Sequence, residues 1–373
     1  TRLVRRRLLP PGGAAARGAC SGRPALVLGR ALAVEHISHA VARYAGVAAA
    51  RAVGAAAPLF ASAVSLARVQ DDLAELYVCG GWDDSQQALD LVERYNHSTG
   101  VWEALPPMLQ ARACALTVAT GGHMYVCGGW TGNCALRSVE RLRISDQCWQ
   151  TGPPMMRSRF SAAGGAVGGQ LCVCGGWDGQ RTLGDAEALD PDAFDVPCVP
   201  GSPTGGAQTS AWRPFAPMIQ GRAHAAASAG GGFLYVGGGW DGRSSLDTVE
   251  RWSALTDVWE PLPRLSQRIS RPAAAMVDGC FYVCGGWLLQ QAIVSVERFD
   301  PAVGRWEVVT PMPLGRAAAV AASVAGRLYV VGGWDGERCL DSVGRFCPAR
   351  GTWEELAPLA RRRRGASAAV AHG

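Results

Sequence analysis

The chain has 373 residues, with 36 basic and 31 acidic side chains and a formal net charge of +5. Every basic residue is an arginine; nine of them and a single acid, Glu35, fall in residues 1–57, which leaves 27 basic against 30 acidic beyond that point and argues against wholesale nucleic-acid binding. No apolar run approaches the ~20 residues that a membrane-spanning helix needs, and 13 cysteines without a recognisable signal peptide point to a reducing compartment, so a cytoplasmic location is expected.

Residues 1–57 are rich in Arg and Ala and poor in acids. Three readings of them stay open: a disordered leader, an organelle-targeting peptide, or the remnant of an upstream region. The chain opens on Thr1 rather than methionine, which leaves the true start open too. Residues 58–73 read as a linker, and residues 74–371 as one repeat domain.

The repeat is carried first by Gly-Gly-Trp, which closes six short apolar runs at Trp82, Trp130, Trp177, Trp240, Trp287 and Trp334. The first glycines, at 80, 128, 175, 238, 285 and 332, lie 48, 47, 63, 47 and 47 residues apart. A period near 47 marks one supersecondary unit stacked many times. Downstream of each copy runs Val-Glu-Arg plus an apolar residue, as in Val139-Glu140-Arg141-Leu142 and Val249-Glu250-Arg251-Trp252, or a degenerate version such as Val343-Gly344-Arg345-Phe346. A second tryptophan ladder follows at Trp102, Trp149, Trp212, Trp259, Trp306 and Trp353, and only Trp252 of the 13 tryptophans stands outside both ladders.

Each unit holds four stretches of strand character separated by turn residues such as Asp241-Gly242 and Asp300-Pro301. Four strands at roughly ten-residue spacing, six times over, predict an all-β fold: a six-bladed β-propeller with four antiparallel strands per blade. The second-ladder indoles are expected to bury between blades. The segment from Arg364 to Ala371 matches the first strand of a blade yet has no Gly-Gly after it, so it is expected to return to blade one and close the ring; residues 58–64 are the rival for that slot. A 16-residue insertion around Val196 to Ala211, rich in Pro and Gly, is expected to project from the face opposite the Gly-Gly-Trp ends.

The Gly-Gly, the spaced apolar residues, the Trp and the following Pro-Met…Arg (Pro107-Met108…Arg112, Pro154-Met155…Arg159, Pro217-Met218…Arg222, Pro311-Met312…Arg316) resemble the Kelch motif. The form is most similar to the Kelch-like proteins, whose propellers usually follow BTB and BACK domains; residues 1–57 are too short for either. The resemblance implies a protein-interaction module that grips a partner protein or peptide. It leaves as an alternative the substrate-recognition part of a BTB–Kelch adaptor of a cullin-type ubiquitin ligase, bound through a BTB domain upstream.

Strand alternation puts the Gly-Gly-Trp ends and the residues following the repeat arginine on one face. Trp82, Trp130, Trp177, Trp240, Trp287 and Trp334 would then either ring the channel mouth or pack down against neighbouring loops. The resemblance implies that partner peptides are gripped by these indoles together with Ala113, Phe160, Ala223, Ser270, Ala317 and Arg364. The family often has Ser or Arg at the second set; the mostly apolar set here speaks against an acidic peptide, and the indoles, if exposed, form a π-rich surface suited to aromatic, proline or cationic side chains. Loop charges that would orient a ligand are Asp83, Asp84, Arg137, Asp178, Arg181, Asp241, Arg243, Asp335 and Arg338. The fifth linker breaks the pattern, with Ile269 where the repeat arginine belongs and Arg268 and Arg271 beside it.

A propeller enzyme is the reading from a different class. The six histidines are scattered, His224 alone falls near the mouth, and Tyr77, Tyr125, Tyr235, Tyr282 and Tyr329 share one core strand position. Neither a phosphate loop nor a hydrolase elbow is present. The chain is therefore expected to act without catalysis, cofactor or metal, and Cys79, Cys127, Cys174 and Cys284, each just before a Gly-Gly, to serve as small buried hydrophobes.

Overall fold

The structure is a computed structural model that describes residues 74–97, 99–194 and 211–372. The expected leader, linker and rival closing strand, and the insertion apart from Ala211, lie outside the described residues. Six four-stranded antiparallel sheets form the blades. In sequence order their second strands are Ala74–Cys79, His123–Cys127, Gln170–Cys174, Phe233–Gly237, Cys280–Cys284 and Arg327–Val331. Each second strand is flanked by an inner strand and by the Val-Glu-Arg strand, and the tryptophan strand stands outermost.

The expected closure holds. Ser367–His372 pairs with Ala74–Cys79 along the whole strand, from Ala74 opposite His372 to Cys79 opposite Ser367, and so supplies the inner strand of blade one. The Ser367 hydroxyl also meets that of Thr117 in blade two at 2.5 Å.

Apolar clusters fill the seams between blades: Leu76, Val78 and Tyr95 of blade one pack on Val324, Tyr329 and Val331 of blade six. The five core tyrosines are at most 2% exposed. Cys79, Cys127, Cys174 and Cys284 are buried as expected, and burial pushes the thiols of Cys79, Cys127 and Cys284 up to about 12.

Second-ladder indoles tie each blade to the one before it. Trp149 Nε1 donates to Pro106 O at 2.9 Å, Trp212 to Pro153 O at 2.9 Å, Trp259 to Ala216 O at 2.7 Å, Trp306 to Pro263 O at 2.7 Å and Trp353 to Thr310 O at 3.0 Å. Trp102 completes the circle by donating to Ala357 O of blade six at 2.9 Å. Trp212 and Trp259 are buried, whereas the other four are half-buried at the outer end of their seams. Trp252 has a place as well: it stands opposite Trp259, in the slot that Tyr95, Phe299 and Phe346 fill in other blades.

The paired glycines meet a local demand. Gly80 has φ +60, and a Cβ there would lie 2.2 Å from Arg112 O; the neighbouring Gly81 has φ +107. Only a residue without Cβ allows the two backbones this close.

Candidate functional site

The repeat arginines fasten the blades beneath the mouth. Arg222 accepts the Gly176 N–H on its carbonyl at 2.8 Å, so its backbone belongs to blade three. Its guanidinium crosses to blade four, donating to Gly238 O at 2.9 Å, Thr248 O at 2.8 Å and Glu250 at 2.7 Å. Arg112 with Glu140, Arg159 with Glu187 and Arg363 with Glu93 repeat the buried pairing, the last across the closing seam. Blade five keeps Glu297 but has Ile269 for the arginine, and Ser266 donates to that carboxylate through N–H at 3.1 Å and hydroxyl at 2.9 Å. Blade six keeps Arg316, bonded to Gly332 O and Ser342 O at 3.0 Å each, with Gly344 where the glutamate would stand.

Above these fasteners the two expected rows of site residues do meet. Each ring tryptophan is bridged to one member of the second set: Trp82 to Arg364, Trp130 to Ala113, Trp177 to Phe160, Trp240 to Ala223, Trp287 to Ser270 and Trp334 to Ala317. All six indoles are half-buried. Trp82, Trp130, Trp287 and Trp334 line one cavity of about 450 Å³ at the channel mouth. Trp177 and Trp240 instead lean on each other, ring centres 5.4 Å apart, to one side of it. In the second set Phe160 lies against Trp130 at 5.0 Å, and the Arg364 guanidinium sits 4.4 Å above the Trp334 ring. Ala113 and Ala223 are fully buried and Ala317 is 2% exposed, so these three shape the rim rather than offer side-chain contact.

One residue further along lies a third tier that sequence reading passed over apart from His224 and Arg271. Cys114, Ser161, His224, Arg271, Ala318 and Gly365 all have positive φ, between 50° and 57°. Their backbones form a closed circle in which each N–H donates to the carbonyl of its counterpart in the preceding blade: Ser161 to Cys114 at 2.7 Å, His224 to Ser161 at 3.1 Å, Arg271 to His224 at 2.9 Å, Ala318 to Arg271 at 2.9 Å, Gly365 to Ala318 at 2.8 Å and Cys114 to Gly365 at 2.6 Å. Five of these six left-handed residues carry a Cβ and accept strain of order 1 kcal/mol apiece to make this neck; the sixth is Gly365. Below it the channel is walled by small residues such as Ala227, Ser228, Ala321 and Ala368.

The neck sets the electrostatics of the mouth. Arg271 is exposed and lines the cavity, with no ion-pair partner among the described residues. Burial, and secondly the Arg271 charge, pushes His224 down to about 3, so its imidazole is neutral. Burial also raises the Cys114 thiol, which disfavours the thiolate. Among the described residues no carboxylate lines the cavity. Most of the loop charges expected to steer a ligand are spent locally instead. Asp83 pairs with Arg361 at 2.7 Å, Asp84 accepts the Cys339 N–H at 2.8 Å, and Asp178, Asp241 and Asp335 cap their own turns.

Six successive segments match the family model described as the Kelch motif: residues 75–109, 111–156, 158–219, 221–266, 268–313 and 315–360. The chain belongs to the Kelch family. In this Kelch propeller the first matched segment starts in the second strand of blade one, and each later one starts one residue before the repeat arginine (or Ile269) and runs through all four strands of its blade into the next linker, so the repeat arginine and the neck residue fall where one motif hands over to another. Among the described residues, no group of three or more His, Cys, Asp or Glu side chains is placed to hold a metal ion, and no helix is long and apolar enough to cross a membrane.

Proposed function

We propose that this Kelch propeller is a non-enzymatic protein-interaction module that receives an extended segment of a partner protein at the tryptophan-lined mouth. The observation that carries this reading is the cavity of about 450 Å³ in which four indoles and Phe160 surround Arg271 and Arg364, with no carboxylate among the described residues that line it. Half-buried indoles give large, rigid contact area at low entropic cost, which is the composition of interaction hot spots. The Arg271 guanidinium, which has no ion-pair partner among the described residues, favours an anionic group on the partner. That preference departs from the one read off the second set alone, because Arg271 belongs to the neck, one residue beyond that set. A role as the substrate-recognition part of a cullin-type ligase adaptor rests on resemblance, and no residue in the mouth favours it.

Selection of a displayed library of random short peptides on the full chain tests the reading. Enriched peptides should bind the wild type and lose affinity at least tenfold when Trp130 and Trp240 are both replaced by alanine, consistent with ~2 kcal/mol or more for a hot-spot aromatic. The folded double variant binding such peptides with unchanged affinity would remove the mouth from consideration.

A further inference from the structure

The turn that follows the ring tryptophan is built alike in most blades. Blades three, four and six use Asp-Gly, in which the aspartate Oδ1 accepts backbone N–H groups two and three residues on at 2.8 Å each, as Asp241 does from Arg243 and Ser244. Blade two uses Thr131 in the same manner, at 3.3 Å. Blade five abandons the device. Leu288-Leu289-Gln290-Gln291 carries neither cap nor glycine, and it folds as a hairpin with Trp287 opposite Ala292 and Leu288 opposite Gln291.

The two turn residues have φ +45 at Leu289 and φ +66 at Gln290. Consecutive positive φ in a two-residue hairpin is the mirror-image turn for which Asn-Gly is suited and leucine is not. Leu289 is nevertheless held there 86% exposed. Strain together with a bare apolar side chain brings the folded state no contact, and such combinations gather where a surface meets a ligand.

The hairpin is not independent of the mouth. Its base residue Trp287 lines the cavity and exchanges both backbone hydrogen bonds with Ser270, at 2.7 and 3.3 Å, and the next residue is Arg271. One blade thus places an apolar tip and an unpaired guanidinium on a single rigid unit. We propose that blade five determines partner specificity. On this reading Arg271 takes a carboxylate of an extended partner segment inside the mouth, and Leu289 takes a large apolar side chain of that segment just outside it. The partner chemistry follows from the unpaired Arg271 and the exposed leucine, and it rests on the mouth being the binding site.

Peptides selected on the wild-type chain should share an Asp or Glu at fixed spacing from Leu, Ile or Phe. Grafting the blade-four turn into blade five (Leu288→Asp with Leu289→Gly) restores the usual cap and should leave the thermal midpoint unchanged or raised. The same graft should weaken the selected peptides on the order of tenfold, and reselection on it should return the acid without the apolar residue. Leu289→Asn, which suits the existing turn, should do the same with no change of loop shape. Reselection on Arg271→Gln should return the apolar residue without the acid. If both turn variants keep the wild-type consensus and affinity, Leu289 has no part in specificity while the mouth reading stands. If no sequence is enriched on the wild type, or enriched peptides ignore Trp130→Ala, both readings fall.

Discussion

Blades four and five share strand lengths, register, the Gly-Gly-Trp corner and the second-ladder indole bond, and differ in the seam arginine, in the turn after the ring tryptophan and in the neck residue. Blade four is held by the buried Arg222–Glu250 pair, turns on a capped Asp-Gly and lends neutral His224 to the neck. Blade five holds Glu297 with Ser266, turns on strained Leu289 and Gln290, and lends Arg271. The strand plan survives these exchanges because its fixed parts are backbone contacts: the close approach at Gly238 or Gly285, the bridge from tryptophan to linker, and the circle of neck hydrogen bonds. Side-chain fasteners are replaceable one blade at a time, which frees a blade to specialise.

The strongest way to break this comparison is to remove the arginine from a seam with a glutamate and from one without. Arg222→Met leaves Glu250 buried and unpaired and should cost ~3–5 kcal/mol. Arg316→Met deserts carbonyls and the Ser342 hydroxyl, with Glu355 acting only through its charge and not as a hydrogen-bonded partner, and should cost ~1–2 kcal/mol. Urea titration of both variants measures the gap, and equal losses would mean that the carboxylate contributes nothing to the seam. Ser266→Ala comes next: it strips one of two donors from Glu297 and should cost ~1.5–3 kcal/mol, whereas Ile219→Ala at the corresponding place in blade four, where the N–H alone reaches Glu250, should cost less than that.

A pH dependence closes the series. His224 is pushed from 6.5 down to about 3, and His97, in the seam between blades one and six, is lowered by burial and by Arg345. With folded values below unfolded ones, the unfolded chain binds more protons once pH drops under about 6.5. Stability from these groups is therefore complete above that pH and declines steadily as pH falls toward 3. His224→Gln should flatten the decline, and Arg271→Ala should soften it by removing the neighbouring charge. Melting curves across that range check the order.

Much of this architecture is legible in the amino-acid order because its signals are local and repeated. Gly80 and its five counterparts need a conformation and a clearance that only glycine meets, and the second-ladder indoles need one carbonyl each at a fixed offset, so both positions keep their letter. The neck keeps none. Cys114, Ser161, His224, Arg271, Ala318 and Gly365 are alike only in dihedral and in a backbone bond to the previous blade, and neither leaves a compositional trace. The division of the ring into four indoles around the cavity and two leaning aside is hidden as well, because all six positions carry the same letter.

The pairing of Ser367–His372 with Ala74–Cys79 bears on the order of events at the ribosome. Blades two to six can each gather their strands as the chain emerges, but blade one waits with three strands and an uncovered inner edge until residues nearly 300 positions later arrive. Through that interval its Trp102 has no Ala357 to bond, Glu93 has no Arg363, and the neck circle is open at Gly365. Closure is thus a late, concerted event, and a nascent chain stalled before Ser367 would present to folding helpers an unpaired strand edge that the finished ring conceals.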